Sequence, residues 1–357
     1  MSSVAELYRF VVGVDTHATV HRYAVVEAAT GRVIEEAGFA TSRAGLARAV
    51  AWIERRAGGP GMVLISAEGS GSYGSRLAKL LGEVGYRVVD APSPKRDRGR
   101  DKNDAIDAII AARSVLSWPV ERLADVRGGP AQECVKVLLA ARERMTGEST
   151  RAINALTALL RDVELGIDAR RALTLAQIRV VSQWLIRSER PVAAIARAEA
   201  VRLATRILEL RGQLKDNHEQ LRQIVAEHVP VLLSMTGIGP VNAAVVLSVW
   251  SHSGRIRNEA ALARLGGAAP IEVSSGNRAE HRLSRGGDRQ LNRALHSIAN
   301  TRMRQDHQTK LYVARRTQQG LSKRRIRRCL KRYIARQIYR GLATASCPVP
   351  TVMVSLD

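Results

Sequence analysis

The stretch from Arg9 to Asp15, Arg-Phe-Val-Val-Gly-Val-Asp, has the pattern of a buried strand that ends in a carboxylate. Its body consists of four apolar residues and one glycine, which suits the interior of a sheet. An aspartate at the end of such a strand contributes little to core packing, but it is well placed to hold a metal ion. The stretch therefore predicts a sheet with a functional edge.

Two later stretches carry acids in matching positions. The run from Met62 to Glu68, Met-Val-Leu-Ile-Ser-Ala-Glu, is again apolar and again ends in a carboxylate. Asp104 and Asp107 open a helical pattern, and residues three apart share one face of a helix. Each acid alone has an ordinary explanation as a turn or cap residue. Jointly they favour a metal site formed by Asp15, Glu68, Asp104 and Asp107 at one end of a sheet.

The segment 7–117 is predicted to be an α/β domain. Strands are expected at 9–15, 23–27, 33–39, 62–67 and 86–90, and helices at 43–56, 73–84 and 103–116. This order resembles the RNase H or RuvC-like nuclease fold. In such sites two divalent cations about 3.5–4 Å apart stabilise the attacking and leaving oxygens of a phosphodiester. Carboxylate oxygens suit Mg²⁺, so Mg²⁺ is the expected cofactor, with Mn²⁺ as a substitute.

The charge of the chain predicts a polyanionic partner. The formal net charge is +23 and the isoelectric point lies near 11.1, while only eight of the 56 basic residues are lysines. Arginine binds phosphate with two parallel hydrogen bonds and stacks on bases, so DNA or RNA is the first candidate. A codon preference can explain the choice of arginine over lysine, but it does not explain the net excess.

The cysteines and the hydropathy pattern indicate the cellular compartment in which the protein is expected. Cys134, Cys329 and Cys347 lack the paired spacing of zinc sites and disulfide frameworks, which fits a reducing cytoplasm. The first residues show no signal-peptide pattern, because Glu6 and Arg9 interrupt them. No apolar run reaches the roughly 18 residues that a membrane span requires. We therefore expect a cytoplasmic protein without a membrane partner.

Residues 118–230 are predicted to form a helical connector. From Leu203 to His228 apolar residues recur in steps of four and three, and Asn217 occupies one core position of this pattern. A polar residue at such a position sets the register of a coiled coil. The pattern favours a self-association helix, and one helix of an intramolecular bundle is the alternative.

The segment 231–345 is predicted to be a helical C-terminal domain, followed by a loose tail at 346–357. Its Gly237-Ile238-Gly239 resembles the turn of helix-hairpin-helix DNA binders, where backbone N–H groups hold a phosphate, and an ordinary glycine-rich turn is the alternative. The residues predicted to contact nucleic acid are Lys95, Arg96, Arg98, Arg100, Gly237, Gly239, Arg278, Arg285, Arg289, Lys323, Arg324, Arg325, Arg327 and Arg328. In the last helix, the residues expected to face a core are Ile326, Leu330, Tyr333 and Ile334.

A short segment of the C-terminal domain, expected to be irregular, carries Ser274-Ser275-Gly276 among several arginines. A serine hydroxyl is a poor nucleophile unless a base or a cation activates it. Arg278, Arg285 and Arg289 are placed to bind a phosphate under attack and to stabilise its developing charge. Taken by itself, however, Ser-Ser-Gly is the sequence of an ordinary turn.

The motifs together resemble those of the DEDD transposases of bacterial insertion sequences, which are related to the pilin-gene invertases. The resemblance is carried by the four acids and by three further motifs: Lys102-x-Asp-x-x-Asp-Ala108, Met235-Thr-Gly-Ile-Gly-Pro240, and Ala269-Pro-x-x-x-Ser-Ser-Gly276 followed by Ser284-Arg-Gly-Gly287. It implies a site-specific DNA recombinase with the metal-binding tetrad Asp15, Glu68, Asp104 and Asp107. It also implies a nucleophilic serine, Ser275, that forms a covalent phosphoserine with DNA. Because the serine is doubled, Ser274 is the alternative.

The resemblance further implies the partners. Members of this group are guided by a structured bridge RNA that pairs with donor and target DNA, and they act as homo-oligomers, dimers or tetramers. Three other functions stay open from the sequence. They are a RuvC-like nuclease that cleaves by water, a DNA invertase of the same family, and a nucleic-acid-binding protein without chemistry.

Overall fold

The computed structural model describes residues 2–92, 104–185, 187–275, 278–283 and 287–345, and for 104–105, 271–275 and 278–283 it describes the backbone only. The predicted features outside the described residues are Lys95, Arg96, Arg98, Arg100, Arg285 and the tail 346–357. The chain forms two compact units. The first contains the residues up to 129 and the segment 250–261, and the second contains 130–249 and the residues from 262 onward. The predicted domain boundaries after 117 and 230 stay predictions.

The first unit is built on one mixed sheet. Its strands are β1 Phe10–Asp15, β2 Val20–Glu27, β3 Val33–Ala40, β4 Val63–Glu68 and β5 Arg87–Asp90. Their spatial order is β3-β2-β1-β4-β5. The pairs β1–β2 and β2–β3 are antiparallel, whereas β1–β4 and β4–β5 are parallel. The apolar stretch that ends at Asp15 is therefore the central strand.

Helices cover both faces of this sheet. They are α1 Val4–Leu7, α2 Arg43–Ala57, α3 Ser75–Val84 and α4 Asp104–Arg113, followed by a 3₁₀ turn at Val120–Arg122. Apart from the short α1, strands and helices follow the predicted order. Side chains alternate across the sheet, so Val14 packs with residues of α2 and α3 while Val11 packs on the side of α4. Gly13 lets α4 lie directly on β1, since a Cβ atom there would come within 1.9 Å of the Ala108 carbonyl oxygen.

The second unit is mainly helical. Its elements, two of which reach into the segment 250–261, are α5 Pro130–Asp162, α6 Leu175–Ser182, α7 Pro191–His228, α8 Pro230–Leu233, α9 Pro240–Trp250, α10 Glu259–Leu265, β6 Pro270–Ser275, β7 Arg278–Leu283, α11 Arg289–Gln305, α12 His307–Gln318 and α13 Lys323–Ala345. In the part of the chain that the structure describes, no helix combines the length and apolar character needed to cross a membrane.

The helix α7 packs along α5 of the same chain. Ile207, Leu210 and Leu221 of the predicted seam are fully buried. Asn217 is only 4% exposed, and its Nδ2 donates a 2.9 Å hydrogen bond to the Leu138 carbonyl oxygen on α5. The seam that the sequence assigned to self-association is therefore covered by α5. This corresponds to the alternative of an intramolecular bundle.

The segment that was expected to be irregular forms a β-hairpin, so this prediction was wrong. The strands β6 and β7 pair antiparallel, with Ser274 opposite Ala279 and Ser275 opposite Arg278. Only Gly276 and Asn277 separate the two strands in sequence, and Gly-Asn is a dipeptide that favours two-residue hairpin loops. The alternating Ile271 and Val273 before it were the missed strand signal.

Candidate functional site

The first two predicted acids end neighbouring strands. In the parallel pair β1–β4, Asp15 and Glu68 are direct register partners. Side chains alternate along a strand, and the residues before these acids, Val14 and Ala67, belong to the core under α2 and α3. Asp15 and Glu68 therefore project on the opposite face, where α4 lies. The Asp15 side chain is buried, whereas Glu68 is exposed.

A third acid, Asp107, reaches the same place from α4. Burial raises the pKa of the Glu68 carboxyl, and the negative charges of Asp15 and Asp107 raise it further. Such mutual repulsion requires the three carboxylates to be close in space. Asp104 is the first residue of α4, one turn before Asp107, and its side chain is outside the described atoms. The structure thus places Asp15 and Asp107 within electrostatic range of Glu68.

Two residues that the sequence reasoning left without a role fix this edge of the sheet. Thr16 Oγ1 donates a 2.8 Å hydrogen bond to the Glu68 carbonyl oxygen and so ties the ends of β1 and β4 together. His17 Nε2 lies 2.7 Å from Asp15 Oδ2. The only sequence signal for these residues is that they are the first and second residues after Asp15.

The loop after Glu68 is shaped to fit this arrangement. Gly69 has φ +69°, and a Cβ atom there would come within 2.5 Å of Thr16 Oγ1. Glycine at this position therefore allows both the left-handed backbone and the close approach of Thr16. The loop geometry and the Thr16 bond together hold the backbone of Glu68.

The donor atoms at this edge fit a hard divalent cation. Carboxylate oxygens are the ligands that Mg²⁺ prefers. Among the described residues, the carboxylates of Asp15, Glu68 and Asp107 form no ion pair with lysine or arginine. The one described side chain that contacts any of these carboxylates is His17, at Asp15. The described side chains do not include three His, Cys, Asp or Glu groups already converged on one metal position. The clustered negative charge is nevertheless of the kind that a bound cation offsets.

Another acid at a neighbouring strand end is neutralised within the protein. Asp90 ends β5, and its carboxylate accepts hydrogen bonds from the Ser70 hydroxyl and, at 3.3 Å, from Arg255. The side chain of Arg255 is only 7% exposed, and burial lowers its pKa. The segment 250–261 is thereby anchored to the first unit. Asp90 thus has an arginine partner, whereas Asp15, Glu68 and Asp107 have none among the described residues.

The predicted serines lie on β6 in the second unit, whereas the acids belong to the first. Ser274 and Ser275 occupy successive positions of a strand, and such positions belong to opposite faces of a hairpin. Ser275 is the last residue of β6 and pairs with Arg278 on β7. Arg289 is exposed at the start of α11.

The glycine turn before α9 packs on α11. Gly237 has φ +82° and lies against Ile298 and Arg302. Arg302 donates a 2.7 Å hydrogen bond from Nε to the Thr236 carbonyl oxygen, and burial lowers the pKa of its guanidinium. Gly239 directly precedes α9, whose first N–H groups have no partner within the helix. A phosphate contact at this turn stays a prediction.

The helices α11–α13 carry a large excess of positive charge. Residues 289–345 contain 16 lysines and arginines and a single acid, Asp306. Lys323, Arg324 and Arg325 are exposed, whereas Arg327 and Arg328 are half-buried. The expected core residues Ile326, Leu330 and Ile334 are buried. Tyr333 was predicted wrongly, because it is 50% exposed and contacts the ring of Tyr312 instead of a core.

Comparisons with known proteins agree with this organisation. Residues 229–314 match the model of the transposase IS116/IS110/IS902 family, and residues 12–164 match the model of the DEDD transposases of the IS110 type. The insertion element IS110 uncharacterized 43.6 kDa protein of Streptomyces coelicolor is 26% identical, in an alignment that covers 73% of this chain and 76% of the relative. The two matched regions contain the acids Asp15, Glu68, Asp104 and Asp107 and the serines Ser274 and Ser275, respectively. The chain belongs to the IS110 family of DEDD transposases.

Proposed function

We propose that the protein is a DNA recombinase that excises and inserts its own insertion element. The family implies a DNA substrate and enzymatic DNA cutting and rejoining. The observation that carries the proposal is the register pairing of Asp15 with Glu68, together with the electrostatic effect of Asp107 on Glu68. The sheet order β3-β2-β1-β4-β5 supports a RuvC-like, RNase H type of catalytic domain.

Asp15, Glu68, Asp104 and Asp107 would hold Mg²⁺, with Mn²⁺ as a substitute. A divalent cation at this edge supplies positive charge for the scissile phosphate and its leaving oxygen. The protein contributes the carboxylates, the Thr16 bond that fixes the Glu68 backbone, and the His17 contact to Asp15. The acids are therefore expected to be required for chemistry and dispensable for DNA binding.

Ser275 is the proposed nucleophile, with Ser274 as the alternative. Its hydroxyl oxygen attacks the scissile phosphorus, the hydroxyl proton leaves to a base or to solvent, and the DNA leaving oxygen takes up a proton. The result is a phosphoserine bond and a free DNA hydroxyl end. A second DNA hydroxyl then attacks this phosphoserine and restores the serine. Arg278, Arg285 and Arg289 would bind the phosphate and stabilise its transition-state charge.

The partners of the reaction are element-end and target DNA and a structured bridge RNA. The supporting observation is the unbalanced positive charge of α11–α13, with Lys323, Arg324 and Arg325 exposed on α13 and Arg327 and Arg328 half-buried beside them. Lys95, Arg96, Arg98, Arg100, Gly237 and Gly239 are proposed as further contacts. In line with the family resemblance, we propose that the protein acts as a homo-oligomer, a dimer or a tetramer.

A water-using RuvC-like nuclease is the second candidate. It is favoured by one observation, namely that Asp15, Asp107 and Glu68 all belong to the first unit and that the charges of the first two raise the pKa of the third. In that case the serines would be dispensable for cutting. DNA inversion by the same chemistry is the third possibility, and it differs only in the arrangement of the DNA sites.

Trapping of a covalent intermediate distinguishes these functions. The full chain is incubated with element-end DNA, Mg²⁺ and RNA transcribed from the flanking non-coding region, then denatured and examined for DNA attached to protein. We expect an adduct that is lost in Ser275→Ala and retained in Ser274→Ala. The reverse pattern would make Ser274 the nucleophile. Cut DNA without any adduct would support the water-using nuclease and contradict the serine mechanism.

A further inference from the structure

We propose that His17 is a positioning residue that holds the Asp15 carboxylate in the orientation needed for a divalent cation. The inference rests on the proposed metal-binding function of Asp15. Its starting point is the 2.7 Å contact between His17 Nε2 and Asp15 Oδ2. Because a carboxylate accepts hydrogen bonds, Nε2 carries the proton in this contact.

The contact occupies one carboxylate oxygen and leaves the other available. Asp15 Oδ1 accepts no hydrogen bond from any residue in the described part of the chain. The Asp15 side chain is only 10% exposed, so its rotamer is restricted by the surrounding sheet. The imidazole therefore fixes the carboxylate plane while Oδ1 stays free to bind a cation.

The backbone that carries the imidazole is itself fixed. The main-chain N–H of His17 donates a 3.2 Å hydrogen bond to Nδ1 of His21, which is only 1% exposed at the start of β2. The preceding Thr16 is bound to the Glu68 carbonyl oxygen. Consequently, the segment Asp15-Thr16-His17 is hydrogen-bonded to β2 through His21 and to β4 through the Glu68 carbonyl oxygen. Within the segment, the imidazole of His17 contacts the carboxylate of Asp15.

An ordinary surface ion pair does not explain this geometry. Exposed pairs contribute about 0–1 kcal/mol and do not require a fixed backbone. Here the aspartate is buried, and no lysine or arginine among the described residues neutralises it. Groups that hydrogen-bond to metal-ligating carboxylates orient them, and their loss typically weakens metal binding about 10- to 100-fold. His17 has the position expected of such a group.

Metal binding without DNA tests the role separately from catalysis. Mn²⁺ alone is titrated into the full-length protein, and free Mn²⁺ is measured by electron paramagnetic resonance. We expect His17→Ala to bind Mn²⁺ about 10- to 100-fold more weakly than the wild type. His17→Gln should recover most of the affinity, because its amide N–H can replace the Nε2 donor. His228→Ala is the matched control, since it removes an imidazole near Glu227 at the end of α7.

The possible outcomes separate the inference from the function on which it rests. If the wild type binds no Mn²⁺, or if Asp15→Asn binds it equally well, the metal site itself is wrong and the inference with it. If the wild type binds through Asp15 but His17→Ala binds equally well, only the positioning role is wrong. If His17→Gln is as weak as His17→Ala at an unchanged melting temperature, the imidazole is a ligand and does not merely position Asp15.

Discussion

The α5–α7 helix pair and the carboxylate edge of the sheet differ in how their polar groups are satisfied. Between the helices, Asn217 bonds to the Leu138 carbonyl oxygen, and Arg206 pairs with Glu148 at 2.7 Å. At the sheet edge, the negative charges of Asp15 and Asp107 raise the pKa of Glu68. Among the described side chains, His17 alone contacts one of these three carboxylates, that of Asp15. One region satisfies its polar groups internally, whereas the other leaves a negative charge to be satisfied from outside.

This difference distinguishes the groups that the fold satisfies from those that we propose to be functional. A polar group that is satisfied inside the fold specifies packing, and its loss should reduce stability. A cluster of like charges opposes folding and is retained where a ligand or a reaction requires it. Asp90 shows that the edge of the sheet can neutralise an acid, since its carboxylate is bound by Ser70 and Arg255. Asp15, Glu68 and Asp107, by contrast, have no lysine or arginine partner among the described residues.

The largest effect is expected for Glu68→Gln. This change should lower recombination activity without lowering the stability of the fold. Recombination should fall at least about 10²- to 10³-fold, as for the loss of one group that stabilises transition-state charge. The pKa of Glu68 is raised in the folded protein, so its ionised form destabilises the fold at neutral pH. A neutral glutamine removes this penalty. The melting temperature in metal-free buffer should therefore stay the same or rise.

Glu83→Gln is the matched control for this change. Glu83 is exposed on α3 and lies outside the carboxylate cluster, so both recombination and melting temperature should be unchanged. A Glu68→Gln variant that recombines normally, or one that melts at a clearly lower temperature, would place Glu68 with the internally satisfied groups. The proposed difference between the α5–α7 helix pair and the carboxylate edge would then not hold for Glu68.

The sheet and its acids could be predicted because local pattern determines them. Apolar strands that end in a carboxylate are visible in the sequence, and parallel neighbours bring their ends together. The roles of Thr16 and His17 could not be predicted in this way. The role of Thr16 depends on the Glu68 carbonyl oxygen, 52 positions away, which only the strand register brings close. The role of His17 depends on a side-chain contact with Asp15, which the pattern of apolar residues does not specify.

The second unit was less predictable, because the local sequence does not determine which of its helices and strands pack against one another. The heptad pattern of α7 specifies a buried seam but does not specify which helix covers it. The β6–β7 hairpin was missed because its Ser-Ser-Gly was interpreted by analogy with a turn, although the strand pattern was present. Tyr333 was assigned to the core by its helical spacing, but its ring instead contacts Tyr312.

A smaller effect is expected in the basic helix α13, where charge is also left unbalanced. Arg324→Gln with Arg325→Gln should weaken binding to duplex DNA of any sequence. The slope of log affinity against log salt should become less steep by about 0.9 for each phosphate contact that is lost. Fluorescence anisotropy over a series of salt concentrations measures this slope.

Arg202→Gln is the control for the α13 double variant, because it removes an arginine from a helix that also carries acidic residues. Arg202 lies on α7 and is ion-paired with Glu199 at 2.6 Å, so its charge is already satisfied within the protein. The salt slope of this variant should equal that of the wild type. Equal slopes for the α13 double variant and the wild type would mean that the exposed arginines of α13 do not contact phosphate.

The smallest effect is expected for Asn217→Ala in the helix pair. The change removes the hydrogen bond to the Leu138 carbonyl oxygen and one acceptor of Arg142, which should lower the free energy of unfolding by about 1–3 kcal/mol. Gln213→Ala, which truncates an exposed amide on the same helix, should have little effect on unfolding in urea. Because α5 already satisfies Asn217, the oligomeric state measured by light scattering should not change. A changed oligomeric state without loss of stability would instead indicate that α7 mediates self-association, as its heptad pattern suggests.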